Sequence, residues 1–262
     1  RLLDSFIGET KFREGLNLYL ASHKFGNAQT ADLWAAIGEK AGLQNGDSID
    51  KIMTTWTNNI GHPLLTVDVA SGSKIQISQN RYFQYPTVVG NQTEVDTLWW
   101  VPTPITFERD PLKTYEYSIP LTRTLNQVGQ NPPLTYEAGK WVKVNAGQSA
   151  FFRTVYKKQE MMDSLKRQLV EQSKNNLNVL SNLDIAGFVS DSLSLGRSGV
   201  LSSSAALDTL GFLQFYSGQD YIVWATVTNE LKAYSNLLDM QDCYGDFQTY
   251  ALSMIKPAFN AI

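Results

Sequence analysis

The two histidines are the first residues to test for chemistry, because zinc hydrolases are commonly built on histidine ligands. His23 and His62 are 39 residues apart. A hydrolytic zinc site commonly takes two histidines four residues apart on a helix and a third ligand further along, and the chain contains no His-Glu-x-x-His run. A site of both histidines plus carboxylates remains arithmetically possible. We interpret the two as surface or helix-end residues and predict no metal ligand in this chain.

The candidate nucleophiles lack the neighbours that would activate them. Cys243, the only cysteine, follows Asp242 in an acidic stretch that disfavours the thiolate a nucleophile requires. The serine run 202–204 opens a helical pattern, where serine is a preferred cap. No Gly-x-Ser-x-Gly elbow occurs, and Asp208 has no evident acid/base partner. The sequence therefore predicts no catalytic residue.

Motifs for binding cofactors or other ligands are also sparse. Neither Gly-x-Gly-x-x-Gly nor Gly-x-x-x-x-Gly-Lys occurs, so no phosphate loop is predicted. Trp99 and Trp100 are candidates for an exposed carbohydrate platform. Adjacent strand residues point to opposite faces, so we favour core and edge positions for this pair. The tripeptide at Asn91 is a glycosylation sequon, a pattern common by chance. No cofactor-binding residue is predicted.

Composition narrows the class of protein. The 262 residues carry 22 Lys plus Arg and 25 Asp plus Glu, a net charge of −3 that argues against nucleic-acid binding. No segment approaches the roughly 18 apolar residues that span a bilayer. One cysteine excludes an intrachain disulfide and favours a cytoplasmic location, against which the sequon is weak evidence. The chain opens at Arg1 within a helical pattern, so we expect it to be a piece of a longer protein.

Three blocks of hydrophobic periodicity define the elements that would position any site. Residues 1–62 have helical spacing, 63–157 alternate with period two, and 158–262 return to helical spacing. Seven of the nine prolines lie between residues 86 and 133, which suits sheet edges and turns. This order predicts a multidomain α+β protein, with helices followed by a β-sandwich and then the start of an α-helical solenoid.

Apolar stripes and capping residues locate the individual elements. Thr30 is predicted to cap the second helix, and Asp47 or Ser48 the third, with a turn at Asn45-Gly46 before it. Pro257 is expected to interrupt the last helix. The helical stripes are Phe12, Leu16 and Leu20; Leu33, Ile37 and Ala41; Ile49, Ile52, Trp56 and Ile60; Met162, Leu165 and Leu169; Ile185, Phe188 and Leu193; Leu207, Leu210 and Leu213; Tyr221, Trp224, Val227 and Leu231; Phe247, Tyr250 and Met254. The strand alternations are Leu65, Val67 and Val69; Ile75 and Ile77; Ile105 and Phe107; Tyr115, Tyr117 and Ile119.

Two segments in the first block form a pattern typical of one enzyme family. The segments are Gly8-Glu9, Phe12, Gly15-Leu16, Tyr19-Leu20, His23, Phe25, Asn27-Ala28, Thr30 and Asp32-Leu33-Trp34; then Met53, Thr55-Trp56-Thr57, Gly61 and Pro63. They resemble the M1 zinc aminopeptidases, a family that includes puromycin-sensitive aminopeptidase and aminopeptidase N. The first segment is similar to the helices that close the catalytic domain, and the second to the exit into a β-sandwich. His62 stands where the family usually has an aromatic residue.

Two later segments resemble the same family. One is similar to the last strands of the sandwich and the other to the opening of the C-terminal helical domain. Ala150 replaces a usual glycine and Ile185 a usual arginine. The segments are Trp141 to Asn145, Phe151 to Thr154 and Tyr156; then Asp184, Phe188-Val189, Asp191, Leu195, Gly199, Tyr221, Val223 and Trp224.

The resemblance implies three domains. Residues 1–62 would be the helical end of a thermolysin-like catalytic domain, 63–157 a β-sandwich, and 158–262 the first part of a HEAT- or armadillo-like α-solenoid. It also implies that the zinc ligands, the general base and the substrate-amine motif lie before this region. No catalytic, cofactor-binding or metal residue is therefore transferred to this chain, and zinc belongs to the parent enzyme.

The function implied is that of a spacer and substrate-access lid in an enzyme that removes N-terminal residues from peptides. Two partners are expected. One is the rest of the catalytic domain, and the other is the peptide substrates that the parent enzyme binds. Open solenoid ends also favour self-association. One alternative is an M1-like scaffold that has lost its zinc ligands. Another is a separate carbohydrate-binding module that uses Trp99 or Trp100.

Overall fold

The computed structural model describes residues 1–43, 47–85, 97–122, 124–125 and 133–260. Helices occupy both ends of the described chain, and strands lie between residues 63 and 156. The predicted alternation of helical, extended and helical blocks is therefore confirmed at the level of secondary structure. The turn predicted at Asn45-Gly46 and the sequon at Asn91 lie outside the described residues.

The first block folds into helices that pack around a small core. Gly15 allows α2 and α3 to approach closely, since a Cβ at this position would lie 2.7 Å from the Ile37 Cα. Leu3, Ile49 and Ala41 complete the buried centre of this cluster. The helices are α1 (Leu2–Ile7), α2 (Glu9–Ser22), α3 (Thr30–Ala41) and α4 (Ile49–Thr57).

Capping interactions fix where α3 and α4 begin. The predicted cap at Thr30 is wrong by one residue. Gln29 occupies the cap position, and the Gln29 backbone N–H donates to the Asp32 carboxylate at 2.8 Å in a capping box. Ser48 caps α4 as predicted, accepting from the Lys51 backbone N–H at 3.2 Å. Helix α4 ends at Thr57, so Ile60 lies beyond the stripe to which it was assigned.

The second block forms two three-stranded sheets, with strand orders β2-β1-β6 and β4-β3-β5. Strands β1 and β2 are an antiparallel hairpin, whereas β6 runs parallel to β1 and places Tyr156 opposite Val67. The strands are β1 (Pro63–Ala70), β2 (Lys74–Arg81), β3 (Val101–Phe107), β4 (Asp110–Ile119), β5 (Val142–Val144) and β6 (Arg153–Tyr156).

Two prolines lie in β3, the central strand of its sheet. Strand β5 pairs with β3 only at residues 105–107, whereas Pro102 and Pro104 lie in the half that pairs with β4 alone among the described strands. Proline donates no backbone hydrogen bond, so it is accommodated where the second neighbour is missing.

The third block consists of consecutive helices, with two corrections to the predicted boundaries. The Leu207, Leu210 and Leu213 stripe belongs to a short helix followed by a 3₁₀ segment, whose three-residue turn matches the spacing of these leucines. Pro257 does not interrupt α9, because it sits in the last turn. The elements are α5 (Gln159–Asn175), α6 (Asn182–Arg197), α7 (Ser203–Leu207), the 3₁₀ segment Asp208–Gln214, α8 (Tyr221–Leu238) and α9 (Tyr244–Phe259).

One buried apolar cluster connects both sheets with the helices of the third block. It extends from Leu65 in β1 and Ile105 in β3 to Phe188 in α6 and Met254 in α9. Helix α6 is buried along most of its length, so it forms the centre of this packing. The protein is thus a mixed fold of helices and two small sheets. Among the described residues no helix is both long and apolar enough to cross a bilayer.

Candidate functional site

The structure places the two histidines in separate local environments. His23 follows α2, with Nδ1 3.0 Å from the Tyr19 carbonyl and Nε2 3.5 Å from the Asp32 carboxylate. His62 precedes β1 and donates from Nδ1 to the Pro63 carbonyl at 3.2 Å. The described residues contain no group of three or more His, Cys, Asp or Glu side chains that could hold a metal ion.

The candidate nucleophiles occupy structural positions. Cys243 is exposed at the start of α9. Ser202 caps α7 by accepting from the Ala205 backbone N–H at 3.2 Å, as the sequence predicts. Asp208 accepts from the Lys166 ammonium at 2.6 Å on the protein surface. These geometries bring none of the three side chains together with an activating base.

Trp99 and Trp100 form no exposed platform, because both side chains are buried. Gln79 in β2 accepts from the Trp99 N–H at 3.0 Å, and on the other side the Trp56 indole donates to the Trp100 carbonyl at 2.9 Å. The Trp100 ring also packs edge-on against Phe6, with ring centroids 4.6 Å apart. The predicted edge position is thus wrong, since α1 and α4 cover the side that was expected to face solvent. The carbohydrate-binding alternative loses its basis.

The most distinctive cluster of chemical groups is a set of buried charges where the strands meet α6. Asp191 on α6 accepts from the Arg153 guanidinium at 3.2 Å and from the Thr154 backbone N–H at 3.0 Å. Arg153 also donates to the Ser190 hydroxyl at 2.8 Å. Strand β6 is therefore bonded to α6 through both its backbone and a side chain.

A second carboxylate of α6 binds the segment before β6. Asp184 accepts from the Gly147 backbone N–H at 2.7 Å and from the Ser181 hydroxyl at 2.6 Å. The Lys143 ammonium, almost fully buried, lies 3.5 Å from the same carboxylate and donates to the Val144 carbonyl at 2.8 Å. We refer to Lys143, Arg153, Asp184 and Asp191 together as the polar joint.

The polar joint continues into α8 through a third carboxylate. The Ser190 hydroxyl donates to Glu230 at 3.1 Å, and Arg197 forms a salt bridge with the same side chain. Tyr82 approaches from the end of β2, where its hydroxyl donates to the Ser194 carbonyl at 3.3 Å. Each carboxylate of this network accepts from several donors, an arrangement that holds the elements together.

Burial controls the titration of the groups around the polar joint. It raises the pKa of Asp191 to about 6, although Arg153 and Lys143 act in the opposite direction. Burial also raises the pKa of Tyr156, whose hydroxyl accepts from the Val144 backbone N–H at 2.9 Å. The pKa of His62 is lowered by burial and by Arg153, while its bond to the Pro63 carbonyl opposes this.

Sequence reasoning named these residues only as parts of the family resemblance and did not predict that they meet. A usable signal was present. Asp184 and Asp191 are seven residues apart in an otherwise apolar helical pattern, a spacing that places both carboxylates on one face with Phe188. Buried carboxylates require donors, but the pattern alone does not reveal which strand supplies them.

Two family models match separate parts of the chain. Residues 1–56 match the peptidase family M1 domain, and residues 141–262 match the ERAP1-like C-terminal domain. The second match begins before β5, so it includes the strands that carry Lys143 and Arg153. Together with the named relatives described next, these matches confirm the resemblance to M1 aminopeptidases.

Individual relatives extend this similarity along the chain. The thyrotropin-releasing hormone-degrading ectoenzyme of Rattus norvegicus is 28% identical over 273 residues, covering 100% of this chain and 24% of the relative. Aminopeptidase Ey of Gallus gallus is 28% identical, covering 99% of the chain and 25% of the relative. Glutamyl aminopeptidase of Bos taurus is 26% identical, covering 100% of this chain and 26% of the relative. The chain spans about a quarter of the length of these relatives.

Proposed function

We propose that this chain is a non-catalytic portion of a zinc metalloaminopeptidase and acts as a structural spacer and substrate-access lid. The observation that carries the proposal is the similarity to a glutamyl aminopeptidase over 100% of the chain. Within the part of the chain that the structure describes, no set of side chains is arranged for peptide hydrolysis. The substrates of the parent enzyme would be peptides, from which it would remove N-terminal residues.

Zinc is proposed for the parent enzyme alone. The described donor set of this chain does not fit the ion, since the two histidines bond separately, His23 against the Tyr19 carbonyl and His62 to the Pro63 carbonyl. In the parent, zinc would supply a Lewis acid and an activated water. No step of the reaction is derived from residues of this chain.

We further propose the division into residues 1–62, 63–157 and 158–262. The two sheets share a buried cluster, which supports a sandwich in the second unit. Consecutive helices joined by short connections support the first turns of a solenoid in the third. The helices of the first unit would contact the rest of a thermolysin-like catalytic domain.

The lid role is geometric. A helical module held at a fixed position over a catalytic domain limits the size of the peptides that enter and excludes water from the reaction. The buried polar joint supports this role, because it attaches α6 to the strands through several hydrogen bonds and an ion pair.

The proposal is tested by comparing this chain with the whole parent protein. Zinc content is measured by plasma mass spectrometry, and activity with fluorogenic aminoacyl-coumarin substrates. We expect bound zinc and hydrolysis in the parent and neither in the 262-residue chain. Hydrolysis by the purified chain would contradict the proposal. A parent without zinc and without activity would instead identify an inactive M1-like scaffold.

A further inference from the structure

Strand β6 contacts elements of two different sequence blocks, because it pairs with β1 of the second block and contacts α6 of the third. Residues 64–67 of β1 pair with residues 153–156 of β6, and the Lys157 backbone N–H donates to the Val67 carbonyl at 2.9 Å. On its other side, β6 is bonded to α6 through Asp191. Strand β6 therefore belongs to a sheet and to the helical module at the same time.

The chemistry of this connection is unusual for a contact between separate domains. Contacts between domains are ordinarily polar and solvated, and they permit relative motion. Here the Lys143 and Asp191 side chains are almost completely removed from solvent. Loss of one partner from a buried ion pair leaves an unpaired charge in a low-dielectric interior, which is strongly unfavourable. Separation of β6 from α6 would break the Arg153–Asp191 ion pair and the bond from the Thr154 N–H to Asp191.

Apolar contacts reinforce the same junction from both sides. The Tyr156 ring packs against Phe188 of α6, with ring centroids 6.5 Å apart. A Cβ at Gly187 would lie 1.3 Å from the Gln148 side-chain nitrogen, so the 146–148 turn rests directly on α6. Separation of the sheets from the helices would thus expose apolar surface as well as charge.

The geometry points to a single rigid body that comprises both sheets and the helices α5 to α8, with the polar joint as the device that locks it. The boundary at residues 157/158 is then a change of secondary structure and not a hinge. If the helices act as a lid, as proposed above, the sheets move with them, and lid motion takes place outside the junction between β6 and α6. The rigidity itself does not depend on that proposed function.

Hydrogen exchange measured by mass spectrometry on the 262-residue chain tests this inference. We expect the amides of β6 and α6 to have equal protection and to open together in the wild type. In Asp191→Asn, Arg153 loses its counter-charge and the Thr154 N–H competes for one remaining acceptor. Exchange should then accelerate by about a hundredfold in both elements, the lower range for a broken buried pair.

The matched control is Asp68→Asn, which removes an exposed ion pair with Lys157, 3.1 Å apart, beside the same two strands. An exposed pair of this kind contributes little, so exchange in α6 should stay unchanged. Unequal protection of β6 and α6 in the wild type, or acceleration of α6 alone in Asp191→Asn, would overturn the inference.

A second measurement keeps the test valid if Asp191→Asn fails to fold. Spin labels are placed at the exposed positions Lys113 in β4 and Lys232 in α8, after Cys243→Ser removes the native thiol. One narrow distribution of label distances is expected for a rigid body. A broad or two-peaked distribution would show independent motion of sheets and helices and would refute the polar joint as a lock, whatever the activity of the parent.

Discussion

Gly15 controls how closely α2 and α3 pack, and replacing it tests the first block. In Gly15→Ala the new methyl group would lie 2.7 Å from the Ile37 Cα, a backbone atom that cannot move alone. We expect a loss of about 1–3 kcal/mol in the free energy of unfolding, as for other overpacked positions. Urea denaturation monitored by circular dichroism measures the change.

Gly38 in α3 provides the control, because a Cβ there would meet Ile49 at an ordinary 3.7 Å. Gly38→Ala should be neutral or stabilise the protein by up to about 1 kcal/mol through helix propensity. Equal effects of the two substitutions would show that the close approach of α2 and α3 is wrong.

His62 makes stability depend on pH in a way that can be isolated. Its ring stacks on Tyr82 and contacts Phe151 edge-on, with centroids 5.1 and 4.9 Å away. Because burial lowers the folded-state pKa of His62 below 6.5, the unfolded chain binds the proton more tightly. The stabilisation from neutral His62 is complete above pH 6.5 and is lost as the pH falls through the folded-state pKa.

We therefore expect His62→Phe to lose less stability than the wild type between pH 7.5 and pH 5. The phenyl ring keeps the aromatic contacts and does not titrate. Asp191, whose pKa burial raises to about 6, titrates in both proteins and cancels in the difference. Denaturant unfolding of both proteins at pH 7.5 and pH 5 measures this change in the free energy of unfolding. Parallel pH profiles for both proteins would count against a buried, neutral His62.

At the scale of elements, α6 depends on close contact with the turn before β6. Gly187→Ala would drive a methyl group into the Gln148 side chain, whose amide oxygen already accepts from Asn145 at 2.8 Å. We expect a loss of about 1–3 kcal/mol of stability from displacing this side chain. Thermal unfolding of Gly187→Ala measures the loss.

Gly211→Ala is the matched control for α6. Gly211 lies in the 3₁₀ segment, and an added Cβ would have no neighbour within 4 Å. The thermal-unfolding midpoint of Gly211→Ala should remain close to that of the wild type. If Gly187→Ala also leaves the midpoint unchanged, the turn does not rest on α6 as described.

The sequence could predict those helices and strands that bury one apolar face and expose the other, because their hydrophobic periodicity is then clear. The Ile49, Ile52 and Trp56 stripe and the Leu65 and Val67 alternation identify α4 and β1 correctly. The Trp99-Trp100 pair could not be placed in this way. Alternation assumes one solvated side, whereas here α1 and α4 cover the side assumed to be free, a tertiary contact that no local pattern contains.

The charged residues were harder to predict than the apolar ones. Composition assigns Asp191 and Lys143 to the surface, because charged side chains are rarely buried. Their burial is possible only because α6, distant in sequence from β5 and β6, brings opposite charges to these strands. Sequence reasoning therefore predicted the strands and the helix that carry the polar joint, but it did not predict that the four charged residues meet.

At the scale of the whole molecule, the face of α8 and α9 is expected to cause self-association. A groove of about 510 Å³ lies between these helices, lined by Leu231, Phe247 and Ile255. Leu252, which also lines the groove, has 67% of its surface exposed. Apolar faces of this kind are covered in stable proteins. We expect the average mass of the chain to rise with concentration in analytical ultracentrifugation.

Leu252→Gln should weaken this association, whereas Leu112→Gln on β4 should not. Leu112 is even more exposed, at 93%, but it lies outside the groove. The two substitutions therefore distinguish a specific contact through the groove from non-specific hydrophobic association. A mass that is independent of concentration, or an equal effect of both substitutions, would show that this face does not mediate contact between copies.

The parallel pairing of β1 with β6 also has a consequence for the order of folding. Val67 and Tyr156 are 89 positions apart, whereas the hairpin of β1 and β2 closes between Ala70 and Lys74. Closing the longer loop costs more chain entropy, so the hairpin should form early and β6 should be added late. Until Tyr156 has emerged from the ribosome, one edge of β1 has no strand to pair with. That interval is when the nascent chain is most exposed to mispairing with other chains.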